Sequence, residues 1–263
     1  MELNKIYQGD CLSVLKDIND NYIDLTVTSP PYDNLRTYNG FTFDFENIAK
    51  ELYRVTKIGG VVVWVVGDAT INGSETGTSF KQALYFKDIG FNLHDTMIYK
   101  KINYIPLTHK RYEQAFEYMF IFSKGKIKTF NPIKENTIYG GRAITRSNRY
   151  ENHAVRGRKF KASVNSEKYR CNVWEYKIGT GCTTKDKIAF EHPAIFPEKL
   201  AEDHILSWSN KNDIILDPMC GSGTTCKMAL KNNRNFIGIE LSQEYCDIAN
   251  KRIKEYTQQL KLA

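Results

Sequence analysis

The stretch Tyr22-Ile-Asp-Leu-Thr-Val-Thr-Ser-Pro-Pro-Tyr32 decides the fold of this chain. Its first part, residues 22–27, is largely apolar and is typical of a buried strand. Proline fixes φ and has no N–H to donate, so the strand must stop at Pro30 and Pro31. Ser29 and Tyr32 then lie on a rigid loop at the carboxyl end of the strand, which is the edge where open α/β sheets bind ligands. We therefore expect this loop to border a site.

Working outward from this strand, apolar runs and helical periodicity alternate along the chain. Further strands are predicted at residues 6–9, 61–66, 96–101, 118–122, 213–216 and 236–239, and helices at 12–18, 45–56, 80–89, 197–208, 224–231 and 243–256. This alternation predicts an α/β fold with a mostly parallel, doubly wound sheet. Residues 72–79, rich in Gly, Ser and Thr, are predicted to be a mobile loop.

Composition excludes several classes of protein. Of 263 residues 41% are hydrophobic, which suffices for a core. The longest apolar run is residues 61–66, whereas a membrane span needs roughly 20 residues. Residues 1–5 lack a signal-peptide pattern. The six cysteines form no Cys-x-x-Cys pair, so we expect reduced thiols, a cytoplasmic location and no metal site.

Positive charge is concentrated in one segment. Residues 127–190 hold 14 Lys and Arg against 5 Asp and Glu, whereas the remainder holds 23 against 25. Such a concentration is typical of polyanion binding, with a solvated basic loop as the alternative. The candidate DNA contacts are Arg142, Arg146, Arg149, Arg156, Arg158, Lys159, Lys161 and Arg170. The aromatic residues among them, Tyr150, Phe160, Tyr169 and Trp174, are expected to form a small separate core.

A second motif, Asp217-Pro-Met-Cys-Gly-Ser-Gly-Thr-Thr225, follows a predicted strand and opens a helix. Glycines there allow a ligand to approach the backbone, and Glu240, 23 positions after Asp217, is spaced to bind ribose hydroxyls. An ATP-binding P-loop is excluded because the required lysine is absent after Gly223. The dinucleotide fingerprint is incomplete because Cys226 stands where its third glycine would be. S-adenosylmethionine (SAM) needs neither feature.

Together, Ser29-Pro-Pro-Tyr32 and Asp217-Pro-x-x-Gly-Ser-Gly-Thr-Thr225 resemble the amino-methylating (cytosine-N4 and adenine-N6) SAM-dependent DNA methyltransferases. The early catalytic loop and late glycine loop are similar to the permuted β-type order of that family. The resemblance implies a Rossmann-like methyltransferase fold with a seven-stranded type of sheet. It also implies a catalytic half at residues 1–126, an inserted DNA target-recognition region at 127–190, and a SAM-binding half at 191–263.

The resemblance also assigns roles to residues. Ser29, Pro30, Pro31 and Tyr32 are implied to be catalytic. The segment His192-Pro-Ala-Ile-Phe-Pro-Glu198 matches the element that closes over the methionine end of SAM, although a helix begun by proline is the alternative there. Asp10 is implied to lie near the adenine, with a helix N-cap as its alternative. The SAM-binding residues are Asp10, Phe196, Pro197, Glu198, Asp217, Pro218, Met219, Gly221, Ser222, Gly223, Thr224, Thr225 and Glu240.

The chemistry expected at this site is methylation of an exocyclic amine. Its lone pair is delocalised into the ring, so acceptors for its N–H groups, here the Ser29 hydroxyl and the Pro30 carbonyl, would make the nitrogen a nucleophile. Tyr32 can stack on the base, which must be flipped out of duplex DNA. No cysteine follows a proline, which excludes the cytosine-C5 enzymes and their Pro-Cys nucleophile.

Serine before Pro-Pro-Tyr is commoner in cytosine-N4 enzymes, so N4 of cytosine is favoured over N6 of adenine. The alternatives are a non-catalytic DNA-binding subunit and an RNA or protein methyltransferase. The expected partners are SAM and double-stranded DNA, with no membrane. The sequence leaves open a cognate restriction endonuclease and a homodimeric state.

Overall fold

A computed structural model describes residues 1–32, 43–104, 110–149 and 156–262, without the side chains of 146–160 and 260–262. The strands are β1 (Lys5–Gln8), β2 (Ile23–Thr28), β3 (Thr56–Val66), β4 (Thr70–Ile71), β5 (Ser74–Glu75), β6 (Asn92–Lys101), β7 (Phe116–Ser123), β8 (Lys134–Asn136), β9 (Ala143–Arg149), β10 (Arg156–Ser163), β11 (Glu167–Tyr169), β12 (Val173–Tyr176), β13 (Ile214–Asp217) and β14 (Asn235–Glu240). The helices are α1 (Cys11–Leu15), α2 (Phe45–Val55), α3 (Thr78–Asp88), α4 (Glu198–Trp208), α5 (Thr224–Lys231) and α6 (Gln243–Leu262), with a 3-10 helix at Lys187–Glu191.

Among the described residues, eight strands form one sheet in the order β1-β14-β13-β2-β3-β7-β6-β12. Neighbours from β1 to β3 pair in parallel, β7 is antiparallel to both β3 and β6, and β12 is parallel to β6. The predicted mostly parallel α/β sheet is confirmed. This sheet has one strand more than the expected seven-stranded type. The additional strand, β12, lies within the segment that was expected to be an insertion. It joins the sheet because its alternate residues, Trp174 and Tyr176, are buried.

The core explains why residues 61–66 are apolar without interruption. Val62, Trp64 and Val66 belong to the cluster that contains the buried residues of α1, α2 and α3. Val63 and Val65, whose side chains alternate with these across the strand, are also fully buried. A strand that is covered on both faces has this continuous apolar pattern, so the sheet carries helices on both sides.

The order of the strands positions the site. Strands β2 and β13 are parallel neighbours, with Thr26 opposite Leu216, so their carboxyl ends lie at the same edge. Ser29 follows the end of β2, and the glycine turn follows the end of β13. Asp10 lies just beyond the end of β1. Glu240 is the last residue of β14, which pairs with both β1 and β13. Both sequence motifs therefore meet at one edge of the sheet.

The prediction of a loop at 72–79 is wrong for residues 74–75 and 78–79, which lie in β5 and α3. Strands β4 and β5 form a short hairpin, and α3 begins at Thr78. The Asp68 carboxylate accepts hydrogen bonds from the backbone N–H of Ser79 at 2.8 Å and from its hydroxyl at 2.5 Å. These bonds satisfy donors at the beginning of α3, so small polar residues here support a helix rather than a loop.

Residues Pro132–Cys171 form a compact unit separate from the rest of the chain. Its described strands make two antiparallel pairs, β9 with β10 and β8 with β11. The expected aromatic core is wrong for two of its members. Tyr169 is exposed, and Trp174 belongs to the larger unit, where its ring lies 4.6 Å from that of His204. Tyr150 and the Phe160 side chain lie outside the described residues.

Within the described ranges, no helix has both the length and the apolar character needed to cross a membrane.

Candidate active site

A cavity of about 590 Å³ lies at the carboxyl ends of β1, β14, β13 and β2. Both motifs contribute to its wall. Most of the predicted site residues line it, namely Asp10, Ser29, Pro30, Pro31, Tyr32, Phe196, Pro218, Met219, Gly221, Ser222, Thr224 and Glu240. The catalytic loop and the glycine turn, nearly 200 positions apart, therefore border the same space.

Hydrogen bonds join the bases of these two segments. The Thr28 hydroxyl donates to the Asp217 carboxylate at 2.8 Å, and the Thr225 hydroxyl donates to the Val27 carbonyl at 3.0 Å. Asp217 is fully enclosed, and burial raises its pKa to about 6 although hydrogen bonds from the Thr28 hydroxyl and the Met219 N–H act to lower it. Asp217 and Thr225 therefore lie behind the cavity wall and hold its two halves together.

The glycine turn is built by close contacts. Gly223 precedes α5 with a φ of 75°, and a Cβ there would lie 2.8 Å from the Cβ of Ala249 in α6. Gly221 has a φ of 48°, and its Cβ would lie 2.7 Å from Nε2 of His192. Larger residues would push these neighbours away, which explains both glycines. Gly223 supports the turn without lining the cavity.

Two carboxylates lie at the same edge. Glu240 accepts hydrogen bonds from the N–H groups of Gly221 at 2.8 Å and Ser242 at 2.9 Å, while burial raises its pKa. Oδ1 of Asp10 accepts from the N–H and the hydroxyl of Ser13, both at 3.0 Å. Asp10 therefore caps α1, as one interpretation of the sequence proposed, and also lines the cavity.

Glu198 and Pro197 do not line the cavity, contrary to what the resemblance implied. The Glu198 carboxylate instead accepts hydrogen bonds from Lys227 and Arg252, both at 2.8 Å. The Arg252 side chain is fully buried and also donates to the Ser222 carbonyl at 2.6 Å. Glu198 therefore acts behind the glycine turn, where paired charges compensate each other's burial, and Pro197 precedes the first residue of α4.

Three charged residues in the cavity were not predicted by any sequence pattern, namely Asp44, which caps α2, and the pair Lys101 and Glu117. Nζ of Lys101 lies 2.5 Å from Oε1 of Glu117, and the Tyr32 hydroxyl donates to Oε2 of Glu117 at 2.9 Å. The Tyr32 hydroxyl is also hydrogen-bonded to the Ser29 hydroxyl at 2.9 Å. Burial, followed by the charge of Glu117, holds the pKa of Tyr32 well above its usual range. Only the pairing of β6 with β7 brings Lys101 and Glu117 to this place, so no local motif could have revealed them.

Three of the predicted DNA-binding side chains are described. The Arg142 guanidinium lies 5.5 Å from the centre of the Tyr139 ring, Lys161 is exposed, and Nε of Arg170 lies 3.5 Å from Glu135. The backbones of Arg146, Arg149, Arg156, Arg158 and Lys159 lie in β9 and β10, whereas their side chains are outside the described part of the chain.

Comparison with known proteins agrees with this architecture. The Orphan methyltransferase M.BamHII of Bacillus amyloliquefaciens is 59% identical over 244 residues, covering 92% of each chain. The Type II methyltransferase M.HinfI of Haemophilus influenzae is 30% identical, covering 96% of this chain and 69% of its own.

Solved structures share the fold. The PvuII DNA methyltransferase (cytosine-N4-specific) superposes with a TM-score of 0.69 at 20% identity, covering 96% of this chain and 89% of its own. The complex of M1.HpyAVI with SAM gives a TM-score of 0.63 at 23% identity, covering 95% of this chain and 98% of its own. A family profile for N6 and N4 methyltransferases, described as DNA methylase, matches residues 23–251. The chain therefore belongs to this family of SAM-dependent DNA amino-methyltransferases.

Proposed function

We propose that this protein transfers a methyl group from SAM to the exocyclic N4 amine of a cytosine that is flipped out of duplex DNA at a specific sequence. The observation that carries the proposal is the shared cavity. Ser29 of the catalytic loop and Gly221 of the glycine turn border the same space. A base and a methyl donor held there can be aligned for direct transfer, and such alignment supplies much of a rate enhancement.

The residues of the catalytic loop would activate the amine. The Ser29 hydroxyl and the Pro30 carbonyl are the acceptors for its two N–H groups, which draws the nitrogen lone pair out of the ring system. The Tyr32 ring, whose hydroxyl is fixed by Ser29 and Glu117, would stack on the base. No covalent intermediate is required.

The other end of the cavity fits SAM by the chemistry of its groups. The Glu240 carboxylate suits ribose hydroxyls, Asp10 suits the adenine side, and Met219 and Phe196 offer apolar surface beside them. When bound, SAM supplies a methyl group activated by its sulfonium. Glu198 takes the supporting role described above instead of touching the cofactor.

The choice of cytosine over adenine rests on Ser29 and on the segment from His192 to Pro197. Serine before Pro-Pro-Tyr and the pattern His-Pro-Ala-x-Phe-Pro are both commoner in cytosine-N4 enzymes. Methylation of N6 of adenine is the alternative, because both amines require the same two acceptors.

Recognition of DNA is assigned to residues 127–190, with residues 1–126 as the catalytic half and 191–263 as the SAM-binding half. The compact unit Pro132–Cys171 lies within the central segment, which also carries the excess of Lys and Arg. M.HinfI is named a type II methyltransferase and M.BamHII an orphan methyltransferase, so we place the protein in a restriction-modification context, either paired with a cognate endonuclease or as a solitary enzyme.

The decisive experiment is mass spectrometry of nucleosides from DNA incubated with the enzyme and isotopically labelled SAM. We expect labelled N4-methylcytosine. Labelled N6-methyladenine would overturn the choice of base, and label in RNA but not in DNA would overturn the substrate. The Ser29→Ala variant is the control for contaminating activity.

A further inference from the structure

We infer that Glu117, paired with Lys101, fixes the direction of the hydrogen bonds through Tyr32, so that Ser29 presents only acceptor lone pairs to the target amine. Glu117 is then a positioning residue, because it acts through Tyr32 rather than on the substrate. The inference rests on the proposed role of Ser29 as an acceptor.

The geometry forms a continuous chain of contacts at the cavity wall. The Ser29 and Tyr32 hydroxyls are 2.9 Å apart, the Tyr32 hydroxyl lies 2.9 Å from Oε2 of Glu117, and Oε1 of Glu117 lies 2.5 Å from Nζ of Lys101. The side chains of Glu117 and Lys101 are only 17% and 24% exposed. Hydrogen bonds in such partly buried places are stronger and polarise one another.

The number of protons sets the direction. An ionised carboxylate only accepts hydrogen bonds, and a phenol has a single proton to donate. Tyr32 therefore donates its proton to Glu117. The Val65 carbonyl, 3.3 Å from the Tyr32 hydroxyl oxygen, is the weaker acceptor for the same proton. The Tyr32 oxygen must then accept the proton of Ser29.

The consequence falls on Ser29. With its only proton directed at Tyr32, the Ser29 oxygen has only lone pairs left for the cavity. Since an amine offers N–H groups, a hydroxyl locked in this orientation matches it, whereas a freely rotating hydroxyl could present its own proton. Nζ of Lys101, which can only donate, lies 2.5 Å from the other oxygen of Glu117, so both carboxylate oxygens accept hydrogen bonds, and the direction depends on this.

The test is a double-mutant cycle of the wild type, Glu117→Gln, Tyr32→Phe and the double variant. The readouts are the single-turnover rate of methyl transfer at saturating SAM and DNA, and the dissociation constant for SAM. Glu117→Gln keeps the shape of the side chain but can donate to Tyr32. We expect it to lower the rate by about 10- to 100-fold, the range of coupling within a hydrogen-bond network, and to leave SAM affinity unchanged.

In the Tyr32→Phe background, we expect Glu117→Gln to lower the rate by no more than about twofold, because the path to Ser29 is already cut. Glu51→Gln is the matched control, since Glu51 is 21% exposed and pairs with Arg54 at 2.6 Å within α2, away from the cavity. It should behave as the wild type.

An unchanged rate in Glu117→Gln, or the same loss in both backgrounds, would overturn the inference. If Glu117→Gln fails to fold, Lys101→Met replaces it in the cycle with the same expected pattern and the same contrary outcomes. Ser29→Ala separates the two levels. Full activity without the Ser29 hydroxyl would refute the proposed acceptor itself, whereas a rate that needs Ser29 but not Glu117 refutes only this inference.

Discussion

The Thr28 hydroxyl donates a 2.8 Å hydrogen bond to the Asp217 carboxylate, although the two residues are 189 positions apart. Thr28 is followed directly by Ser29, and Asp217 begins the turn that contains Gly221 and Gly223. A bond between buried groups at this position fixes the distance between the proposed amine acceptor and the proposed cofactor turn.

Asp217 should make stability depend on pH. Burial raises its folded pKa to about 6 from an ordinary value of 3.8, so the folded state holds a proton that the unfolded state has already lost. Its favourable contribution is complete below pH ~4 and is lost as the pH rises through ~6, a difference of about 3 kcal/mol. The free energy of unfolding of Asp217→Asn minus that of wild type should therefore be larger at about pH 8 than at about pH 5. Urea unfolding at both pH values measures this, with the exposed Asp17→Asn as control. An equal difference at both pH values would contradict it.

Ser29→Ala should lower the rate of methyl transfer by about 10²- to 10³-fold, the loss typical when one group that stabilises developing charge is removed. SAM affinity should stay within about twofold, because the hydroxyl that is removed is proposed to contact the target amine and not the cofactor. Single-turnover rates and SAM titration measure the two effects. A large loss of SAM affinity would show instead that the variant disturbs the cavity as a whole.

Gly223→Ala should destabilise the protein more than Gly77→Ala. Both glycines precede a helix with positive φ, at 75° and 65°, so each substitution costs about 1–2 kcal/mol of backbone strain. A Cβ at Gly223 would also meet Ala249 at 2.8 Å, whereas nothing lies within 4 Å of one at Gly77. Overpacking adds about 1–3 kcal/mol, which the free energies of unfolding should show. Equal losses of unfolding free energy in Gly223→Ala and Gly77→Ala would mean that α6 moves aside without an energetic cost.

Arg252→Met should destabilise the fold by about 3 kcal/mol, since it removes one partner of a buried ion pair, and should weaken SAM binding because Ser222 is no longer held by the guanidinium.

Burial acts to raise the pKa of Asp186, but hydrogen bonds from Lys227 and Arg252 bring it below its usual value. That stabilisation is present at neutral pH and is lost on acidification, and the variant should lose less stability with acid. Arg54→Met is the control, because Arg54 is 29% exposed and pairs with Glu51 away from the cavity. If Arg54→Met lost as much stability and as much SAM affinity as Arg252→Met, a special role for Arg252 would be refuted.

Charge reversal at Arg156 and Arg158 should weaken binding to duplex DNA while sparing SAM affinity. For each phosphate that the protein no longer neutralises, the slope of log affinity against log salt should become shallower by about 0.9. Titrations at several salt concentrations measure the slope. Reversal of the exposed Lys251 and Lys254, which lie in α6, makes the same change in charge outside the basic segment. Equal losses for both pairs would show that net charge, and not the segment, binds DNA.

The sequence alone determined the class of fold and the two motifs. Apolar residues 61–66 predict a strand buried on both faces, because only such a strand has no polar alternation. Pro30 and Pro31 end β2, and Gly221 and Gly223 adopt positive φ angles of 48° and 75°, so local stereochemistry explains these residues. The loop predicted at 72–79 failed because the cap on α3 comes from Asp68, outside the segment.

Only the tertiary structure decided which residues face the cavity. Glu198 and Asp217 belong to the motifs but lie behind the cavity wall. Ion pairs with Lys227 and Arg252 hold Glu198 there, and the Thr28 hydroxyl holds Asp217. Lys101 and Glu117 belong to no motif and reach Tyr32 because β6 and β7 pair in one register. Side-chain direction at a site depends on partners far away in the chain, and no local pattern of residues encodes them.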